Sequence, residues 1–263
     1  AFDDVPVPVD YDGDGKDDVA VYRRSTGEWM VLRSSTGTLW LVGWGAPPLG
    51  DAPVPADYDG DGHGDIAVYR ASTGEWFIHR SWTNTLLHLQ WGAQSLGDVP
   101  APADYDGDEK ADIAVYRGAT GEWFIYRSAT GSLMHVSWGA PALGDVPIAA
   151  DYDGDGKADL GVYRGTTGQW CVLRSSNATL MQLTWGAPSL GDMPTPADFD
   201  GDGKVDVAVV RGLTGEWFVN VSTSGFSYLV WGVGDARVPA DFDGDGTSQP
   251  TIWRGASGSW LSR

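Results

Sequence analysis

The chain holds one cysteine, four histidines and four methionines among 263 residues. A single cysteine excludes an intrachain disulfide, and Cys171, set in a strand-like run, is expected to be a buried free thiol. Zinc needs Cys and His at paired spacings, which are lacking here. Basic residues are scarce: 17 Lys and Arg stand against 36 Asp and Glu, a formal charge of −19. That balance disfavours nucleic acid as a partner. No stretch approaches the ~20 apolar residues of a membrane span. The chain opens on Ala1 with neither an initiator Met nor a leader, as expected of a mature or trimmed chain. Neither a nucleophile elbow nor a phosphate loop is present. His63, His79, His88 and His135 form no constellation that breaks the internal symmetry, so no enzyme activity is expected.

What the chain has is an acidic loop written six times. D-[YF]-D-G-D begins at Asp10, Asp57, Asp104, Asp151, Asp198 and Asp241, and five of the six loops add an Asp at the ninth position. The full sets are Asp10, Asp12, Asp14 and Asp18; Asp57, Asp59, Asp61 and Asp65; Asp104, Asp106, Asp108 and Asp112; Asp151, Asp153, Asp155 and Asp159; Asp198, Asp200, Asp202 and Asp206. Carboxylates at positions 1, 3, 5 and 9, with glycines that let the backbone turn tightly, converge on one point. Hard oxygen donors in a flexible loop predict Ca²⁺ rather than Mg²⁺, which keeps more of its water. The backbone carbonyl of position 7 can add a further oxygen.

Two loops depart from the pattern. Glu109 stands where a Gly is expected, which predicts a strained turn in loop three. Loop six has Asp241, Asp243 and Asp245 but Gln249 at the ninth position, followed by Pro250, and is expected to be the weakest site. Of the 36 acids, 23 lie at these loop positions, which leaves 13 acids against 17 bases elsewhere. The low isoelectric point therefore belongs to the loops. An EF-hand would need a Glu at position 12 and an exiting helix. Here position 12 is Val or Ile, and the loops enter alternating β-branched runs such as D-I-A-V-Y-R.

The loops recur every 47 residues, and the last interval is 43. A period of that length, dense in glycine and short apolar runs, predicts an all-β propeller of six four-stranded blades. The repeats are set at about 4–50, 51–97, 98–144, 145–191, 192–234 and 235–263, one propeller domain whose last blade lacks its outer strand. In the third copy the strands are expected at 99–105, 112–117, 122–127 and 133–138, with Thr-Gly turns between them. A neighbouring molecule, or residues absent from this chain, is the alternative way to close the last blade. A metal clip between the first two strands of each blade is expected to be structural rather than catalytic.

These loops, each set between two strands, resemble the FG-GAP/VCBS repeat family, known from integrin α-subunit heads and from secreted bacterial proteins. The resemblance covers nearly the whole chain. It implies a Ca²⁺-binding β-propeller, with backbone oxygens from Lys16, His63, Lys110, Lys157, Lys204 and Thr247 joining the Asp ligands. It also implies a secreted protein, since such sites fill at extracellular calcium levels. Some propellers of this class are lectins, so glycans or glycoproteins are the expected partners, with protein ligands on a scaffold as the alternative.

Two aromatic and basic series recur in register. Trp29, Trp76, Trp123, Trp170 and Trp217 follow the Thr-Gly turn, and Trp44, Trp91, Trp138, Trp185 and Trp231 precede the crossing to the next repeat. Such rings either fill the wedge between blades or stack on sugars in pockets there. Arg23, Arg70, Arg117, Arg164 and Arg211 either pair with a Glu of the adjoining hairpin (Glu28, Glu75, Glu122 or Glu216) or donate hydrogen bonds in a repeated pocket. The first Trp series and these Arg are the candidate ligand-binding residues.

Overall fold

The computed structural model describes residues 3–233 and 236–263. The expected boundary between repeats at 234/235 lies outside the described residues. The fold is a six-bladed β-propeller: five blades are four-stranded antiparallel sheets in sequential order, and the last has three strands. The chain forms two compact units, 1–137 and 138–263. The first holds blades one to three, and the second holds blades four to six.

Blade two shows the plan. Its strands are Asp51–Pro53, Ile66–Arg70, Glu75–Arg80 and Thr85–Gln90. The second strand is buried along nearly its whole length and the third alternates, so the apolar residues lie inward. Gly74, at φ +74°, closes the hairpin between them. The third copy corrects the expected first strand. It spans only Asp98–Pro100, followed by an isolated bridge between Ala103 and Asp112. Pro100 and Pro102 supply no N–H to the ladder, so pairing stops early. Its other strands are Ile113–Arg117, Glu122–Arg127 and Ser132–Ser137, within one residue of expectation. In four of the crossings a single 3₁₀ turn leads to the next first strand.

The two Trp series divide the packing between them. Trp29, Trp76, Trp123, Trp170 and Trp217 are wholly buried. In blades one, two, four and five the indole Nε1 donates to the carbonyl of the second-series Trp of the same blade, at 2.8–3.0 Å. The second series then reaches across to the following blade. Trp44 Nε1 donates to the Phe77 carbonyl (3.0 Å), Trp91 to Phe124 (2.9 Å) and Trp185 to Phe218 (2.9 Å). One series anchors each blade, and the other stitches it to its neighbour. The wedge-filling reading of the first series therefore holds. Its role as a sugar platform does not, because no ring face is left for a ligand. Cys171 is buried, with its thiol pushed up by that burial.

Candidate metal loops and inter-blade pockets

Each acidic loop is ordered by its own carboxylates. In loop one, Asp10 Oδ1 accepts the Gly13 N–H (2.6 Å) and Oδ2 accepts Gly15 (2.8 Å). The same pair recurs at Asp57, Asp104, Asp151, Asp198 and Asp241. At the seventh position Lys16, His63, Lys110, Lys157, Lys204 and Thr247 each donate their N–H to the fifth-position Asp (Asp14, Asp61, Asp108, Asp155, Asp202, Asp245) at 2.8–3.2 Å. Glu109 sits at φ +65°, in the left-handed region that Gly15 and Gly62 occupy in their loops. The expected strain in loop three is therefore present, at about 1–2 kcal/mol.

The ninth-position Asp has a second task that sequence spacing did not reveal. Asp18, Asp65, Asp112, Asp159 and Asp206 are essentially inaccessible. Oδ2 of each accepts the N–H of the loop's second residue at 3.0 Å. Oδ1 accepts a Ser N–H just beyond the third strand at 2.6–2.7 Å: Ser34, Ser81, Ser128, Ser175 or Ser222. This residue ties the loop to the far end of its own blade. Burial is the largest cause of its raised pKa in every copy, and it carries Asp65 to about 6.

Carboxylate oxygens gather within 4.8 Å of one another in loops one to five: Asp10, Asp12 and Asp18; Asp57, Asp59 and Asp61; Asp104, Asp106 and Asp108; Asp151, Asp153 and Asp159; Asp198, Asp200 and Asp206. At that separation two such charges repel by about 3 kcal/mol at an effective dielectric of ~20. Moreover, Oδ1 of Asp12, Asp59, Asp153 and Asp200 is buried and accepts no hydrogen bond. An unsatisfied carboxylate oxygen facing other carboxylates is costly unless a positive charge lies beside it. The donors are all oxygen, so the residues fit a hard divalent cation. Neighbouring loops also touch. Gly64 N donates to the Asp10 carbonyl (2.6 Å), Ala111 to Asp57 (2.6 Å) and Val205 to Asp151 (2.7 Å).

The recurrent Arg reach the expected hairpin Glu in blades one, two and five, but have a closer partner as well. Nε and Nη2 of Arg23, Arg70, Arg117, Arg164 and Arg211 clamp Asp4, Asp51, Asp98, Asp145 and Asp192 of the first strand, 19 residues upstream, at 2.8–3.4 Å. The hairpin Glu is a secondary contact, at 3.7 Å for Glu28, 3.9 Å for Glu75 and 3.1 Å for Glu216. Because the first strand pairs directly with the second, the cross-strand Asp lies opposite the Arg. The guanidinium can then lie over an aromatic ring: Arg70 over Phe77 (4.4 Å), Arg117 over Phe124 (4.2 Å) and Arg211 over Phe218 (4.8 Å).

These Arg–Phe pairs line three equivalent pockets between consecutive blades. One, of about 230 Å³, is lined by Trp44, Gly45, Ala46, Asp51, Val68, Arg70 and Phe77. The second, about 190 Å³, has Gln90, Trp91, Gly92, Val115, Arg117, Phe124 and Leu133. The third, about 240 Å³, has Trp185, Gly186, Asp192, Val209, Arg211, Phe218 and Phe226 among its walls. Beside each lies a buried tyrosine hydroxyl that makes no hydrogen bond: Tyr22, Tyr69 and Tyr163. The glycines at 45, 92 and 186 have φ +114°, +131° and +114°, and a Cβ there would meet that hydroxyl at 2.8, 2.6 and 3.0 Å. Only glycine lets the backbone pass between the pocket and the hydroxyl. Arg23 and Arg164 carry the same Asp clamp, with Met30 and Cys171 in the register held elsewhere by Phe. Outside the pockets, His88 and His135 each stack on a Phe and bond a Glu, at 3.0 and 2.9 Å.

A family model described as FG-GAP-like repeat matches residues 10–68 and 104–162. The chain carries FG-GAP-like repeats. Among curated proteins none matches the sequence. Among solved structures, the FG-GAP-like propeller is similar to an Agrocybe aegerita lectin described in recognition of non-reducing terminal N-acetylglucosamine. That likeness has TM-score 0.64 and 17% identity, over 100% of this chain and 80% of that one. It is also similar to a catalytically inactive virginiamycin B lyase from Staphylococcus aureus (TM-score 0.59, 5% identity, 100% of this chain and 87% of that one). A third likeness is to a Photorhabdus luminescens Tc holotoxin pore (TM-score 0.60, 15% identity, 98% of this chain and 14% of that one). Identities this low show the fold alone.

Proposed function

We propose that this FG-GAP-like propeller is a secreted, calcium-stabilised module that binds carbohydrate in its repeated inter-blade pockets. The loops take Ca²⁺ as a structural clip, and their all-oxygen donor sets call for the calcium levels found outside cells. The observation that carries the binding reading is the triplicate pocket. Each combines a Trp ring with a Phe that carries an Arg over it, and an Asp holds that Arg rigid. The Trp ring suits the C–H face of a sugar, and the Asp-held guanidinium suits its hydroxyls, directly or through a bridging water. At about 190–240 Å³ the pockets are smaller than the ~300–1,000 Å³ of drug-sized sites, which favours one terminal sugar per pocket. Several weak, equivalent sites then gain by avidity on a branched or crowded glycan. The lectin among the similar structures supports this reading.

A glycan array that includes terminal N-acetylglucosamine tests it, probed with the intact chain in calcium and after EGTA. Binding is expected in calcium and is expected to weaken after chelation, as the loops that frame the blades loosen. Replacing Phe77, Phe124 and Phe218 together by Ala is expected to weaken binding by about a hundredfold, because avidity goes with the individual sites. Retention of no glycan by a folded, calcium-loaded chain overturns the carbohydrate reading in favour of a protein-binding scaffold.

A further inference from the structure

Loop six departs from the others at its ninth position, and the departure is built into a hydrogen-bond network. Gln249 Oε1 accepts the Phe242 N–H at 2.8 Å, as the Asp Oδ2 does for the second residue of the other five loops. Unlike Asp, the amide also carries a nitrogen. Nε2 donates to Asp243 Oδ1 at 2.9 Å and to the Thr247 carbonyl at 2.9 Å. These are the third-position carboxylate and the seventh-position carbonyl. In loops one, two, four and five the corresponding carboxylate oxygen is buried without any donor. An amide NH₂ has two hydrogens, and here both are used. A flipped amide would aim its NH₂ at the Phe242 N–H, donor against donor, so the network itself fixes the orientation.

The geometry points to Gln249 as a built-in substitute for the metal: its amide nitrogen closes loop six from within, and that loop takes no divalent cation. This rests on the reading of the other five loops as cation sites. The substitution keeps the donor side of one inter-blade contact ordered without an ion: Ser248 N donates to the carbonyl of Asp198, the first residue of loop five, at 2.6 Å.

Hydrogen exchange by mass spectrometry on the intact chain, with calcium and after EGTA, distinguishes the outcomes. Peptides over residues 57–65 and 198–206 are expected to exchange about tenfold faster or more after chelation, while 241–249 keeps its protection. Gln249→Asp removes the amide donor and restores a ninth-position carboxylate. It is expected to raise the calcium content by one ion per chain, measured by inductively coupled plasma mass spectrometry, and to make 241–249 sensitive to EGTA. Deprotection of loop six together with the others in the unaltered chain overturns this inference and leaves the cation reading standing. So does an unchanged ion count in Gln249→Asp. If no loop responds to EGTA, the cation reading fails and the substitute role falls with it.

Discussion

Chelation of calcium is expected to lower the thermal midpoint by roughly 10–30 °C. Each ion held at about a hundred times its Kd adds ~2.7 kcal/mol. The first unit holds three loops with a full Asp set and the second holds two. Each unit therefore stands to lose about 5–8 kcal/mol, on the scale of the ~5–15 kcal/mol that stabilises a whole domain. At about 2–4 °C per kcal/mol, that is a shift of tens of degrees in a calorimeter. The gap should widen with pH. In the ion-free chain burial raises the pKa of the ninth-position Asp above the unfolded value, to about 6 at Asp65. The folded state then binds these protons more tightly, so this contribution is full below the unfolded value of 3.8 and is lost as pH rises through about 6. The loaded chain responds the other way, since the ions bind deprotonated carboxylates. A midpoint unmoved by EGTA at pH 7.5 would contradict the structural role given to the loops.

Trp76→Ala is expected to cost about 3–5 kcal/mol, read as a lower guanidinium midpoint. The ring is wholly buried, lies 5.2 Å from Tyr69 and 6.4 Å from Tyr58, and donates Nε1 to the Trp91 carbonyl at 2.8 Å. Its loss leaves a cavity and an unpaired carbonyl at the point where blade two is stitched to blade three. Trp82→Ala is the control: that side chain is 72% exposed and its removal should stay within about 0.5 kcal/mol. Equal, small effects from the two would refute the division of labour drawn between the Trp series. Trp76→Phe, which keeps a ring but loses the donor, should fall between them.

Blade number, strand order and the short last blade were legible because a repeat states each element several times over. The Thr-Gly turns placed the second and third strands within a residue. The first strand was read too long, since two prolines end its ladder before the loop begins. The Arg–Glu pairs were legible, but the closer Asp partner was not, for a topological reason. Glu28 is five residues from Arg23 and Asp4 is 19, yet antiparallel pairing of the first two strands sets Asp4 directly opposite Arg23. The pocket phenylalanines carry no repeat signal, because they do not recur in every blade. Position 77 and its equivalents read Met30, Phe77, Phe124, Cys171 and Phe218, so the signal lay in a register that the repeats do not share. The roles of the ninth-position Asp and of Gln249 depend on side-chain oxygen and nitrogen geometry, which spacing alone does not encode.

The most direct measurement is the number of calcium ions retained by the purified chain at equilibrium with millimolar calcium, counted by equilibrium dialysis and checked by isothermal titration calorimetry. Five ions, one for each loop with an Asp at its ninth position, is the predicted result. A folded chain that retains none would contradict the account, because the buried, unpartnered oxygens of Asp12, Asp59, Asp153 and Asp200 would then have no positive charge to face.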